Sequence, residues 1–567
     1  MSRKFLLLLS VLTLAITATS VFMIPTMAQS NATFRESLTE GAPKYFIQAI
    51  GGGPQQYVAM LMFDPLVYVD VKTFQILPAL ASSWDVTPDG LMYTFHLVKN
   101  AKWHDGVQFN SADVKYTYDY IIQKKLSGYG FLSGIASIDT PDAYTVVIHL
   151  KKADAAFLIK VNGRYSGNVD ILPVHILNGT DWTKASDFIQ KPIGTGPYKF
   201  SSFDGTNLVL LRNDQYFAGT PSFAKVVATV IPSNTIATKA FENNEIDWLY
   251  TTQVPSVSEY IRLKGLPGNT GDATYQFVES IEFNTNVAPF NDVKVRQAFA
   301  YAINRSEINQ KIYLGQGKPQ VNPSFPEWLS WAVDPNVKLP NYDPAMANQI
   351  LDQAGYKKGS DGWRFNVKIS YAAPYSPPPT FVDVLKSDLA LIGINVVHEP
   401  NEWDVWYQKV YTNKDFQVSL HHIVVVGDPE IGVADELPGR LYYFGYNNTE
   451  ITNLFSQAAA KPDRTDRAKI YSQIQQMQLQ QLPYICLVDS PTMFLWKTTF
   501  TGILKGDNYR LRYATVASAP TTSATSTPVA PPPAQIDYTP YLAGVVVIIL
   551  IAIGAYVFTK RKKPETH

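Results

Sequence analysis

The chain has 567 residues, of which 46 % are hydrophobic and 13 % aromatic, enough to bury several large cores. Its 48 basic and 48 acidic side chains cancel, which excludes the basic face that nucleic acid requires. One cysteine, Cys486, excludes a disulfide framework within the chain, and its apolar setting "LPYICLVDS" predicts a buried structural thiol.

In chain order, Arg3 and Lys4 precede an apolar run from Phe5 to Ile24, with Thr26 and Ala28 as the small residues of a cleavage site. This predicts a secretory signal over residues 1–28, with no neighbouring cysteine to carry a lipid. Sequons at Asn31, Asn178, Asn304 and Asn447 suit an exported surface. "GGGPQQYVAM" offers Gln55, Gln56 and Tyr57 as polar and aromatic ligand contacts. In "WDVTPDGLMYTFHLVKNAKWHDG", Pro88, Asp89 and Gly90 form a turn leading into a strand with Tyr93, Phe95 and Leu97 on one face. His104 and Asp105 of "WHDG" resemble a catalytic dyad but lack a nucleophile in context. A helix is predicted with Ser111 as N-cap and Val114, Tyr118 and Ile121 on its buried face.

The Gly-rich stretch "KPIGTGPYKF", Lys191 to Phe200, invites a phosphate-loop reading. Pro197 removes an N–H where the required helix should begin, and no Lys-Ser/Thr pair follows. The residues beyond it alternate through Tyr198, Phe200, Leu208 and Leu210 around Asp204-Gly205, predicting a hairpin. Helices are predicted with Val295, Phe299 and Ala302 on one face, and with Asp343 as cap, Pro344 at the first position and Gly355 as stop.

"NEWDVWYQKV" supplies Trp403, Trp406 and Tyr407 at a spacing that serves either a sugar-stacking site or a helix core. In "SLHHIVVVGDPE", His421 and His422 are adjacent, so a regular strand points them to opposite faces and they cannot share a metal ion; one of them faces the cleft as a hydrogen-bond partner. The charge run from Lys461 to Lys469 reads as a solvated helix face. No GxSxG or HExxH motif is present, and no catalytic residue, cofactor or metal ion is expected.

The Ser/Thr/Pro-rich stretch over residues 514–540 predicts a semi-stiff stalk. Tyr541 to Phe558 is free of charge and, as a helix, would rise about 27 Å, close to the hydrocarbon thickness. Lys560 to Lys563 then place the tail, residues 559–567, in the cytoplasm and the globule outside the cell.

"LPALASSWDVTPDGLMYTFHLVKNAKWHDGVQFNSADVKYTYDYI", "IGTGPYKF...LRNDQYFAGTP", "EFNTNVAPFNDVKVRQAFAYAINRSEI", "YDPAMANQILDQAGY" and "RAKIYSQIQQMQLQQLPYICLV" together resemble, in order and spacing, the extracytoplasmic solute-binding proteins of family 5. These are the dipeptide- and oligopeptide-type receptors of ABC importers, and the resemblance covers Lys44 to Tyr513. It implies a mixed α/β fold: a bilobed periplasmic-binding-protein clamp with an extra inserted domain in the larger lobe. The first lobe would comprise residues 30–278 and 489–513, with the inserted domain at 71–167, and the second lobe residues 279–488. Crossings would fall in "YQFVESIEF" and "YICLVDS". The C-terminal transmembrane helix resembles the anchor of archaeal members. Implied partners are ABC permease subunits and their ATPases. Peptide receptors of the family hold the ligand's amine with an Asp three residues before the Asp of Gly-Asp-Pro. Here Gly427-Asp428-Pro429 is present and that position is Val425, which cannot neutralise an ammonium. The expected ligand is an oligosaccharide or oligopeptide, with Gln55, Tyr57, Trp403, Trp406, His422, Val425 and Asp428 as cleft candidates. The alternatives are a strict di/oligopeptide receptor and, from another class, an extracellular hydrolase.

Overall fold

Alternating apolar residues set the strands, and the computed structural model describes them over residues 31–38, 48–50, 55–162, 169–231, 233–250, 256–373, 378–431, 446–504 and 511–517. The expected stalk begins too early: Ala514 is fully buried and Thr515–Val516 pair with Phe500–Thr501, so residues 514–517 belong to the globule, while the rest of the stalk, the secretory segment and the membrane run Tyr541–Phe558 lie outside the described residues. The chain divides into two units, Met1–Ala517 and Ser518–His567, and all described residues belong to the first. Among them no helix is long and apolar enough to cross a membrane.

Strand β1 (Thr33–Leu38) is followed by a short pair, β2 (Val67–Val69) and β3 (Ile76–Pro78). Next, β4 (Ala81–Val86), β5 (Met92–Leu97), β6 (Ile135–Asp142) and β7 (Thr145–Leu150) form a four-stranded sheet in the order β4-β5-β7-β6. In β5 the expected residues Tyr93, Phe95 and Leu97 are the buried ones, alternating with half-buried neighbours. Strands β8 (Tyr198–Phe203), β9 (Asn207–Arg212) and β10 (Lys225–Val230) join β1 in a second sheet, ordered β1-β10-β9-β8. The predicted hairpin is β8–β9: Asp204 accepts from the amides of Thr206 and Asn207, and Gly205 adopts φ +93°.

The largest sheet contains β11 (Trp248–Tyr250), β12 (Asn269–Phe283), β13 (Lys318–Pro319), β14 (Phe365–Ala372), β15 (Ile394–Asn401), β16 (Val418–Val424) and β17 (Tyr484–Lys497). Its order is β11-β17-β12-β16-β14-β15, with β13 beside β17. Strands β12 and β17 run antiparallel along most of their lengths, so "YQFVESIEF" and "YICLVDS" lie side by side. Irregularities between Tyr275 and Phe277 and between Glu279 and Ser280 interrupt that ladder, the feature that bends and twists a strand pair. A last pair, β18 (Phe500–Thr501) and β19 (Thr515–Val516), closes the unit.

Local capping explains where the helices begin. The helix Ser111–Lys124 is capped by Asn110, one residue before the expected Ser111: Asn110 accepts from the Ala112 amide, and Asp113 accepts from the Asn110 amide. Ser111 instead donates its hydroxyl to the Asp142 carbonyl. Asp343 caps the helix Pro344–Gln353 through the Met346 amide, and Gly355 ends it at φ +90°. Val295, Phe299 and Ala302 are fully buried in the helix Val293–Ala302, and Cys486 is a buried free thiol.

The Gly-Thr-Gly stretch is a packing element. A Cβ on Gly194 would stand 1.8 Å from the Met62 carbonyl oxygen, and one on Gly196 2.5 Å from the Met62 carbonyl carbon. His104 binds the same segment, with Nε2 3.0 Å from the Gly196 carbonyl and Nδ1 accepting from the Gly194 amide. Burial lowers its pKa to about 4, which leaves the imidazole neutral and structural.

Separate cores accompany these sheets. One extends from Phe34 through Trp103 and Tyr198 to Trp248 and includes Phe494 and Phe500. A second extends from Phe241 through Phe299 and Leu385 to Leu495, and a third gathers Trp406, Val425, Phe455, Tyr471 and Cys486.

Candidate functional site

The segment following β16 is built from the backbone outward. The Val425 amide donates to the Gln276 carbonyl at 2.8 Å, and the Val425 side chain is fully buried in the third core. The chain then folds back, the Asp428 amide donating to the Val426 carbonyl at 2.7 Å. Gly427 makes this possible twice over: its φ is +66°, and a Cβ there would lie 2.6 Å from the Phe74 Cβ.

Asp428 is buried and paired with buried Arg467, Nη1 to Oδ2 at 2.7 Å and Nη2 to Oδ1 in a second, shorter contact. Arg467 also donates to the Tyr471 hydroxyl at 2.6 Å, and that hydroxyl donates to Glu430 Oε1 at 2.8 Å. Burial, then the neighbouring Asp428 charge, pushes the Glu430 carboxyl up to about 8. Burial works against the Arg467 charge, but Asp428 outweighs it and holds the guanidinium pKa above its ordinary value. The Trp331 ring lies 5.0 Å from both Arg464 and Arg467, within cation–π range.

Residues distant in sequence close against this segment. Val69, Ala156 and Ile159 form a small apolar cluster with Val426 and Ile431. The Phe74 ring stacks on Trp328 at 4.5 Å, and the Ala155 amide donates to the Ala459 carbonyl at 2.9 Å. On the strand pair itself, Asp489 is buried beside Gln320, and burial raises its carboxyl to about 7 against the opposing influence of Lys318.

The aromatic candidates separate by exposure. On the short helix Trp403–Tyr407, Trp403 is 40 % and Tyr407 44 % exposed, whereas Trp406 is fully buried. Trp406 stands 4.6 Å from the His421 ring and Trp403 5.9 Å from it. His422 meets Phe277 edge to face at 4.7 Å. Gln55, Gln56 and Tyr57 open the helix Gln55–Met62, and their side chains fall outside the described part.

Two expectations are corrected. The His421 and His422 rings are 4.4 Å apart, so they do not point to opposite faces of the strand. They pair with Ser280 and Glu279 in an unbroken β12–β16 register, so the rings come together without a break in their own ladder, His421 lying against Trp406 and His422 against Phe277. Among the described residues no group of three His, Cys, Asp or Glu is placed to hold a metal ion. Arg467 departs from the solvated face expected of Lys461–Lys469: Lys461, Arg464 and Lys469 are exposed, but Arg467 is buried on the helix Arg464–Gln481. Sequence reasoning thus missed Arg467, Tyr471 and Glu430. A signal was present in the spacing of Arg467, Tyr471, Ile474 and Gln478, which is that of one buried helix face.

The sequence profile described as "Bacterial extracellular solute-binding proteins, family 5 Middle" matches residues 75–434. A putative ABC transporter peptide-binding protein of Brucella ovis is 33 % identical over 358 residues, 62 % of this chain; the chain covers 65 % of that relative's length. The heme-binding protein A of Haemophilus influenzae is 26 % identical over 502 residues, covering 82 % of this chain and 88 % of the relative. Among solved structures, the periplasmic binding protein DppA of Helicobacter pylori, in complex with the peptide STSA, superposes with a TM-score of 0.70 at 26 % identity, covering 87 % of this chain and 99 % of that one. The mixed α/β architecture is therefore that of the periplasmic binding proteins.

Proposed function

The chain belongs to the bacterial extracellular solute-binding proteins of family 5, and from that premise we propose that it is the capture subunit of an ABC importer. It holds a solute between two lobes and hands it to permease subunits driven by separate ATPases, the closed state being the one the ligand stabilises. The family consists of binding proteins, and the hydrolase alternative is set aside on that ground. The lobes are residues 30–278 with 489–513, carrying the inserted domain 71–167, and residues 279–488. The adjacent, bulged strands β12 and β17 support this division, because both crossings then bend together. Residues 518–540 form the stalk, its start moved past the paired strand β19, and Tyr541–Phe558 the membrane anchor; by resemblance the anchor is of the archaeal type.

The ligand is an oligosaccharide, or an oligopeptide gripped elsewhere than at its amino terminus. One observation carries this: Val425 is fully buried, and the nearby acids are committed, Asp428 to Arg467 and Glu430 to Tyr471. An ammonium brought to that position would lose its hydration without gaining a free carboxylate. Trp403 offers an exposed ring for a sugar face. Trp406, fully buried, backs the exposed Trp403 ring at 5.2 Å. Gln55, Tyr57 and His422 complete the proposed contacts. The second reading, a strict di/oligopeptide receptor, is favoured by the peptide named for the Helicobacter pylori structure.

Calorimetry of the full chain with neutral oligosaccharides, free-amine peptides and their N-acetylated forms tests both. Binding of a neutral oligosaccharide, or of peptides regardless of acetylation, is expected. Tight binding of free-amine peptides that acetylation abolishes, with no response to sugars, would overturn it and establish the second reading.

A further inference from the structure

The inserted sheet region carries a surface trough of about 700 Å³, remote in sequence from the segment around Asp428. One wall is the helix Ser111–Lys124, presenting Lys115, Tyr116 and Tyr120, and the other is the turn from Asn178 to Asp181. Its volume lies in the range of about 300–1,000 Å³ typical of small-molecule sites.

The aromatic floor is held rigid. Tyr120 stacks on Trp182 at 4.1 Å and 15°, the Trp182 Nε1 donates to the Tyr116 hydroxyl at 3.0 Å, and that hydroxyl donates to the Leu177 carbonyl at 2.5 Å. Rings fixed in advance cost little entropy when a flat, C–H-rich face is laid on them. The rim supplies hydroxyl partners, with Lys115 and Asp119 paired at 2.8 Å.

The opposite wall is a sequon, Asn178-Gly179-Thr180. Asn178 has φ −59° and ψ 130°, Gly179 has φ +75°, and the Thr180 amide donates to the Leu177 carbonyl at 3.0 Å. This is a type II turn with the exposed asparagine at its first corner. The other sequons differ. Asn304 caps a helix, its side chain accepting from the Glu307 amide, and neither Asn31 nor Asn447 lines the trough.

We propose that Asn178 is an N-glycosylation site and that the first sugars of its glycan lie in this trough. The inference requires only the extracellular placement of the family, and it is independent of the transported ligand. An oligosaccharide is transferred from a lipid-linked phosphate donor. A bond forms between Asn178 Nδ2 and the anomeric carbon, the bond from that carbon to the donor's phosphate oxygen breaks, and the phosphate leaves with the bonding electrons. The amide loses one proton to the transferase's base, and nothing is oxidised or reduced.

Glycopeptide mass spectrometry of the full chain purified from its own cells tests the assignment. The peptide containing Asn178 is expected to carry a saccharide mass, absent from both Asn178→Gln and Thr180→Ala, while the Asn304 peptide is unmodified. Hydrogen exchange then tests the seating: amides of the helix Ser111–Lys124 should exchange several-fold faster in either unmodified variant than in the glycosylated protein. An unmodified Asn178 overturns the proposal, and modification without any change in exchange overturns the seating. A ligand-binding isotherm unchanged in both variants separates this result from failure of the transport reading.

Discussion

Replacing Arg467 with methionine removes a buried cation while keeping most of its stem. The side chains of Arg467 and Asp428 are 2 % and 4 % exposed, and two hydrogen bonds join them, so the variant leaves a carboxylate in a poorly solvated site. Breaking one side of such a pair costs about 3–5 kcal/mol, whereas replacing both partners with neutral groups costs much less. The double variant Arg467→Met/Asp428→Asn should therefore be more stable than the sum of the single variants predicts, with a coupling of about 1–3 kcal/mol. Urea unfolding of the full chain in detergent, followed by tryptophan fluorescence, measures this, and Trp331 at 5.0 Å from Arg467 reports locally. Single variants that each shift stability by less than about 1 kcal/mol, or strictly additive effects, would falsify the claim that this pair is desolvated and mutually dependent.

Gly427→Ala should cost about 1–2 kcal/mol for its left-handed backbone, with a further 1–3 kcal/mol from overlap with Phe74, read as a lowered unfolding midpoint; a neutral result would mean that the turn differs. Burial raises the carboxyls of Glu430 to about 8 and Asp489 to about 7, above the ordinary values of 4.5 and 3.8, so the folded state retains protons that the unfolded chain releases. Their contribution is most favourable below about pH 4 and declines as pH rises toward 8, and Glu430→Gln should flatten that decline in denaturation curves taken across this window. Val425→Asp places an uncompensated carboxylate in a fully buried site and should weaken retention of the natural ligand in calorimetry; tighter binding would show that the ligand brings a cation there. External protease on intact cells should release the globule by cutting between residues 518 and 538, and protection until lysis would reverse the membrane orientation.

Features fixed by neighbours in sequence were legible. Asp343, Pro344 and Gly355 mark a helix by their own backbone preferences, and all three serve as read. Where two cap-forming residues are adjacent the choice is decided three residues on: Asp113 completes a reciprocal pair with Asn110, and this fixes Asn110 rather than Ser111. Arg467 was obscured because its partner Asp428 is 39 positions away and the charges around it are solvated. Nothing local distinguishes a lysine or arginine that finds a distant acid from one that does not. The histidine pair misleads for a related reason: their β12–β16 register is regular, and the rings meet at 4.4 Å through side-chain packing against Trp406 and Phe277, residues remote in sequence.

That same long-range dependence bears on ligand chemistry. Between Val425 and Glu430 the groups able to meet a ligand are already engaged: Val425 through Gln276 and the core, Val426 with Ile159, Gly427 against Phe74, Asp428 by Arg467 and Glu430 by Tyr471. A segment committed in this way joins distant parts of the chain, and it has no spare charge with which to anchor a solute. Under the proposed reading, recognition passes to exposed rings such as Trp403, which bind by apolar contact and tolerate a ligand without net charge. Affinity for such a ligand should then depend weakly on ionic strength, because no ion pair crosses to it, whereas capture of an ammonium would weaken as salt screens the attraction. A salt titration of the binding constant measured in the same calorimeter therefore distinguishes the two grips without knowledge of the ligand's identity.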